Sequence, residues 1–231
     1  MARVTVAELM RGCSAIVNQD VSVPADGSTD WVLWLHFINR SQVEFAESFD
    51  WEILKKVYMP AITPNTANSV LSIGLPLDFR KLAGPVVNYA TGVDGGESWP
   101  EILPEKKLLY YPQNKYFYVQ GDISGGYSLQ WSPGTLSSGA SIEINYYSMP
   151  TSLVSSTQYP VVPDSDFLTQ RTIAYVLEAR SDPRYQDEER KAREKLLLMI
   201  ENSSISKYSS YVSPQPVGST LNTRNLRIGK F

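Results

Sequence analysis

Pro163–Ser203, PDSDFLTQRTIAYVLEARSDPRYQDEERKAREKLLLMIENS, decides the reading of this chain. It predicts two helices joined by a tight break. Asp164 or Ser165 stands where an N-cap belongs, ahead of a run from Phe167 to Arg180. Ser181-Asp182-Pro183 ends that run, because the residue before a proline is driven out of the α region. Asp182 then caps a second helix with Pro183 at its first position.

The second helix is amphipathic, with Tyr185, Ala192, Leu196, Met199 and Ile200 on one stripe. Asp187, Glu188 and Glu189 precede Arg190, Lys191, Arg193 and Lys195, the order that suits the helix dipole. Asp187/Lys191 and Glu189/Arg193 have i,i+4 spacing, and such pairs stabilise a helix by roughly 0.2–0.5 kcal/mol each. The first helix is different: apolar residues cover most of its wheel, and Arg171 and Glu178 form the charged wedge. A helix apolar nearly all round is normally buried. The expectation is that part of its covering, over Phe167, Ile173 and Leu177, comes from a neighbouring copy of the chain.

Upstream, Thr5 and Glu8 have capping-box spacing ahead of a helix to Gln19 whose apolar face is Val6, Leu9, Met10, Cys13, Ile16 and Val17. After a linker holding Pro24 and Asp26-Gly27, Asp30 is placed to cap a second helix. Its stripe is Trp31, Leu35, Ile38, Phe45 and Phe49, broken by Gln42. From about Val57 the pattern changes, with helix-breaking Met59-Pro60 and Thr63-Pro64. Leu71–Pro76 reads as extended, Lys81–Tyr89 as a strand, Thr91–Gly96 as a loop, and Leu108–Tyr111 and Tyr116–Val119 as short aromatic strands.

Tyr127, Leu129 and Trp131 alternate with polar residues, and so do Ile142, Ile144 and Tyr146. The two runs predict an antiparallel hairpin closed by Pro133–Gly139, with one wet face. Gly125-Gly126 ties the first run to the Tyr116 strand. The expected fold is therefore α+β: a four-helix cluster with an inserted small antiparallel β-sheet unit and an extended C-terminal arm. Residues 1–60 and 151–203 form the helical body, 61–150 the β unit and 204–231 the arm. Tyr208, Tyr211, Leu226, Arg227 and Phe231 make that arm apolar and basic enough to dock on another subunit rather than trail free.

The 231 residues carry a net charge of −3, against the basic balance of a protein that grips nucleic acid over a broad surface. Cys13 is the single cysteine, which excludes an internal disulfide and reads as a core residue. His36 is the single histidine, too few ligands for a metal centre by itself. The N-terminal residues show no signal-peptide core and no run is long enough to span a bilayer, so the expected product is soluble and cytosolic when made. Nucleotide-binding loops and zinc-protease helices are absent from the sequence, and no cofactor or enzymatic activity is expected.

Four stretches, in order, carry a resemblance. These are Trp34-Leu35-His36-Phe37-Ile38-Asn39 followed by Asp50-Trp51; Leu75-Pro76-Leu77-Asp78-Phe79; Ile144-Asn145-Tyr146-Tyr147-Ser148-Met149-Pro150; and Val162-Pro163-Asp164 leading into the helix pair with Asp182 and Lys191-Ala192-Arg193. Together they resemble the head-to-tail adaptor, or connector, proteins of tailed bacteriophages over residues 1 to about 203. The resemblance implies a virion protein that forms a ring, typically of about twelve copies closed by heterologous contacts. It also implies portal protein and the next tail or nozzle protein as partners, and DNA passing through the lumen without sequence-specific binding. No membrane partner and no catalytic residues are implied. A different tail-completion protein, a carbohydrate-binding or hydrolytic virion module, and a nucleic-acid binder using the basic tail are the competing expectations.

Overall fold

The computed structural model describes residues 4–60, 71–89, 96–106, 116–122, 124–131 and 141–209. Among them are four α-helices and two antiparallel sheets, an α+β fold. The helices are α1 (Val6–Val17), α2 (Thr29–Ser48), α3 (Ser165–Ala179) and α4 (Tyr185–Ser209). The strands are β1 (Lys55–Tyr58), β2 (Leu71–Gly74), β3 (Phe79–Leu82), β4 (Val86–Tyr89), β5 (Glu97–Trp99), β6 (Phe117–Asp122), β7 (Gly126–Trp131) and β8 (Ser141–Ser148). The segments expected at 108–111 (strand) and 133–139 (loop) lie outside the described residues, as does most of the 91–96 loop.

The helix starts obey local chemistry. The Thr5 hydroxyl accepts from Glu8 N–H while the Glu8 carboxylate accepts from Thr5 N–H, a complete capping box. Ser28, not Asp30, caps α2, its hydroxyl accepting from Trp31 N–H. Asp30 instead sits in the first turn, where a negative charge favours the dipole. Asp164 caps α3 by accepting from the N–H groups of Asp166 and Phe167. α3 stops at Ser181, whose φ of 55° breaks the helical path. The Asp182 carboxylate then accepts from Arg184 N–H as α4 begins.

α3 is the central helix. α1, α2 and α4 all pack on it, and α4 packs chiefly on it alone. The shared core holds Met10, Cys13, Trp34, Ile38, Phe45, Phe167, Ile173, Val176 and Ala192. α2 buries Trp34, Phe37 and Ser41 where the stripe expectation had placed Leu35 and Phe49, which are half-buried. Ile16, expected on the buried face of α1, is 51% exposed.

The β unit departs from the expected hairpin. Among the described residues β7 pairs with β2 and β6, whereas β8 pairs with β1, β3 and β4. The two alternating runs thus belong to different sheets and meet through one core, in which Trp99 lies 4.4 Å from Trp131 between ring centres. Alternation specifies which side chains point inward; it does not specify which strand is the neighbour. Lys81–Tyr89 is two strands, β3 and β4, and Pro85 lies between them. The β6–β7 turn does close at Gly125-Gly126. The Asp122 carboxylate accepts from Ser124 and Gly125 N–H, and Gly121 and Gly126 adopt φ of 131° and 80°. A Cβ on Gly121 would lie 2.1 Å from the Gly126 carbonyl oxygen, so the position requires glycine.

The sheet and the helices are joined at β8. Ile142, Ile144 and Tyr146 face the β core, and Tyr147 belongs to the helical core. Arg80 extends the junction, donating to the Ala46 and Phe49 carbonyls and pairing with Asp50 at 2.6 Å.

Candidate interaction surface

Three of the residues expected to meet a neighbour are covered by the chain itself. Phe167, Ile173 and Leu177 are 1%, 0% and 2% exposed within the single chain. Their apolar surround is explained by the place of α3 at the centre of the cluster, with other helices on several sides. This corrects the expectation that a second copy covers them. Tyr208 lies in the last turn of α4, which runs six residues past Ser203. Tyr211, Leu226, Arg227 and Phe231 lie outside the described residues.

What the described residues leave open on α4 is the side that carries Leu197 and Leu198. Lys195 Nζ is 3.5 Å from Asp164 and 3.4 Å from Asp166, so Lys195 is level with the start of α3. Asp164 holds the Lys195 ammonium above its ordinary pKa. The helix continues past this level to Ser209, with Leu196 still beside Phe167 of α3. Ala192 is its one buried residue among those with described side chains. Leu196, Met199 and Ile200 rest partly on the helical core, while Leu197 and Leu198 are 60% and 55% exposed. Exposed Glu194 and Glu201 flank these two leucines.

A second open feature is the turn between β2 and β3. Phe79 N–H donates to the Pro76 carbonyl at 2.9 Å, closing a four-residue turn. The Asp78 carboxylate accepts from Lys56 Nζ at 2.5 Å and from the Tyr146 hydroxyl at 3.0 Å, and its carbonyl accepts from Met149 N–H at 2.7 Å. Leu75 and Phe79 are buried on either side, which leaves Leu77 fully exposed at 101% on a pinned loop. Neither leucine feature was singled out as a contact site in the sequence. A periodic pattern marks residues that go inward and is silent on apolar residues held outward.

Between α2, α3 and α4 lies a charged cluster. Arg171 Nε and the Tyr175 hydroxyl both donate to Glu44 Oε2 at 2.6 Å, and Arg193 donates to Glu189 at 3.0 Å. Arg40 and Arg171 stack on the Tyr175 ring at 4.1 and 4.4 Å. Burial pushes the Tyr175 hydroxyl pKa up, and the Glu44 charge adds to that. For Arg171, burial works against the charge, but the hydrogen bond and charge of Glu44 outweigh it and raise its pKa. A cleft of about 110 Å³ lined by Glu44, Phe167, Arg171, Ala192, Arg193 and Leu196 opens here. Its charges are mutually paired, so the cluster locks three helices together.

Cys13 is fully buried, and burial pushes its thiol pKa up to about 12, which places it in the core as expected. His36 is exposed beside Phe37. Among the described residues no group of three or more metal-ligating side chains converges, and no helix is long and apolar enough to cross a membrane.

A family model described as SU10 adaptor protein matches residues 4–214 of the chain. The match spans the helical cluster, the β unit and all of α4. No curated protein matches the chain.

Proposed function

The chain belongs to the SU10 adaptor protein family, and from that premise we propose that it is a structural, non-enzymatic virion protein. It assembles as a ring at the capsid–tail junction, joins the portal protein to the next tail protein and surrounds the channel through which DNA passes. The observation that carries this reading is the family match over residues 4–214. The exposed Leu197/Leu198 side of α4 and the pinned Leu77 turn support it, because a closed ring needs two different contact surfaces on each subunit. The net charge of −3 suits a channel wall that does not hold phosphates.

The test is negative-stain imaging of the purified chain, alone and mixed with the portal protein of the same phage. Rings of about twelve copies stacked on the portal are expected. A chain that stays monomeric and leaves the portal unoccupied would overturn the reading. Removal of residues 204–231 is expected to leave a folded protein that docks poorly on the portal. Full portal occupancy by the truncated chain would refute a docking role for the arm. DNA binding measured across a salt series is expected to be weak and independent of sequence, and glycans are expected to be neither bound nor turned over.

A further inference from the structure

The two outward leucine features are unlike in shape. One is a single Leu side chain on a loop held by four hydrogen bonds, three of them through Asp78. The other is a pair of leucines on the outer side of α4, with Leu196, Met199 and Ile200 partly covered on the inner side of the same turn. Leu77 is the most exposed large apolar side chain among the described residues, and the bonds that fix its loop mean little entropy is lost when it docks. Their charges also differ. Lys56 stands beside the turn, half exposed although paired with Asp78, and Lys81 follows on β3, 51% exposed although paired at 2.7 Å with Asp50, the carboxylate that Arg80 also uses, so two cations share one anion there. Glu194 and Glu201 flank the leucine pair, both exposed, Glu194 in a surface ion pair with Arg190 at 3.3 Å.

We propose that the occupant of the Leu197/Leu198 face is the Leu77 turn of a second copy of this chain. The contact repeats around the ring, with Lys81 of one copy facing Glu201 of the next. It rests on the ring reading and deepens it by naming the two surfaces that meet. It is heterologous: each subunit gives its turn to one neighbour and its helix to the other, so the contact propagates until rotation closes it. The central Leu77 is the anchor, and the lysine–glutamate rim sets register rather than strength.

Disulfide trapping tests the contact in the full chain, alone and with portal protein present. Cys13 gives no background because it is buried. L77C and L198C, each oxidised by itself, are expected to stay uncrosslinked. Mixed, they form one covalent dimer, and the double variant L77C/L198C forms a ladder. L77D is expected to weaken self-association at least about tenfold with an unchanged circular-dichroism melt. L198C alone giving a dimer would mean a symmetric helix–helix contact and would overturn the proposal. L198C trapping the portal protein instead would overturn it too. Rings seen by imaging with no mixed crosslink would sink this contact and leave the ring reading standing. Monomers at every concentration, with and without portal, would sink both.

Discussion

Glu44 and Arg171 meet at 2.6 Å between Oε2 and Nε, and the Tyr175 hydroxyl donates to that same carboxylate oxygen. One acceptor thus serves two donors from a facing helix, in a partly covered site. Removing it leaves a guanidinium that is 17% exposed without its main partner. Glu44→Ala is expected to cost about 2 kcal/mol and Tyr175→Phe about 1 kcal/mol. Urea unfolding of both single variants and the double variant should give a coupling of at least about 0.5 kcal/mol. Strict additivity would show that the two contacts to Glu44 are independent.

Tyr146 gives the β unit a signature at high pH. Burial, then the Asp78 hydrogen bond, push its hydroxyl up to about 12. A raised folded-state pKa stabilises the fold fully below the unfolded value near pH 10, and that stabilisation is lost as pH rises through the folded value. Between pH 10 and 12 the unfolded tyrosine ionises while the folded one does not, a loss of up to about 2–3 kcal/mol. The readout is the difference from Tyr146→Phe. That variant is expected to lose stability less steeply across the window; parallel pH curves would remove Tyr146 as the cause.

Asp164 both caps α3 and faces Lys195 of α4. Asp164→Ala is expected to lower stability by about 1–2 kcal/mol, and Asp164→Asn, which keeps the cap oxygen, by less than half of that. Chemical denaturation of the two variants separates cap from charge. Equal losses would assign the whole effect to the ion pair.

The helix starts at Thr5 and Asp164 and the break at Ser181–Pro183 were legible because each depends on residues within a few positions of one another. Apolar α3 was legible as buried, but not what buries it: Phe167, Ile173 and Leu177 need facing helices, and sequence spacing names no facing partner. The same limit explains the hairpin. Ile142, Ile144, Leu129 and Trp131 do point into one core, yet from two sheets. Gln42 read as a flaw in the α2 stripe. It is buried because its side-chain oxygen accepts from Val161 N–H at 3.0 Å, in the segment returning from the β unit. A polar residue on an apolar face was the available signal for a backbone segment lying across α2.

Asn39 makes the neighbouring contact and tests that account most sharply. Its Oδ1 accepts from Leu153 N–H at 2.8 Å and its Nδ2 donates to Leu153 C=O at 3.0 Å, so one side chain satisfies both backbone groups of a buried residue. Asn39→Asp keeps the acceptor but turns a second carboxylate oxygen toward the carbonyl. At pH 7 it is expected to cost about 2 kcal/mol, since the carbonyl loses its donor and faces a negative charge. The introduced carboxyl should have a folded pKa above its unfolded value near 3.9, because only the protonated form can donate to Leu153. Stability relative to the parent chain is then recovered as pH falls below 4 and lost as it rises through the folded pKa. Urea midpoints of the two chains from pH 3 to 7 measure this directly. A constant difference across that range would mean that the carbonyl of Leu153 finds its donor elsewhere and that Asn39 does not pin the returning segment.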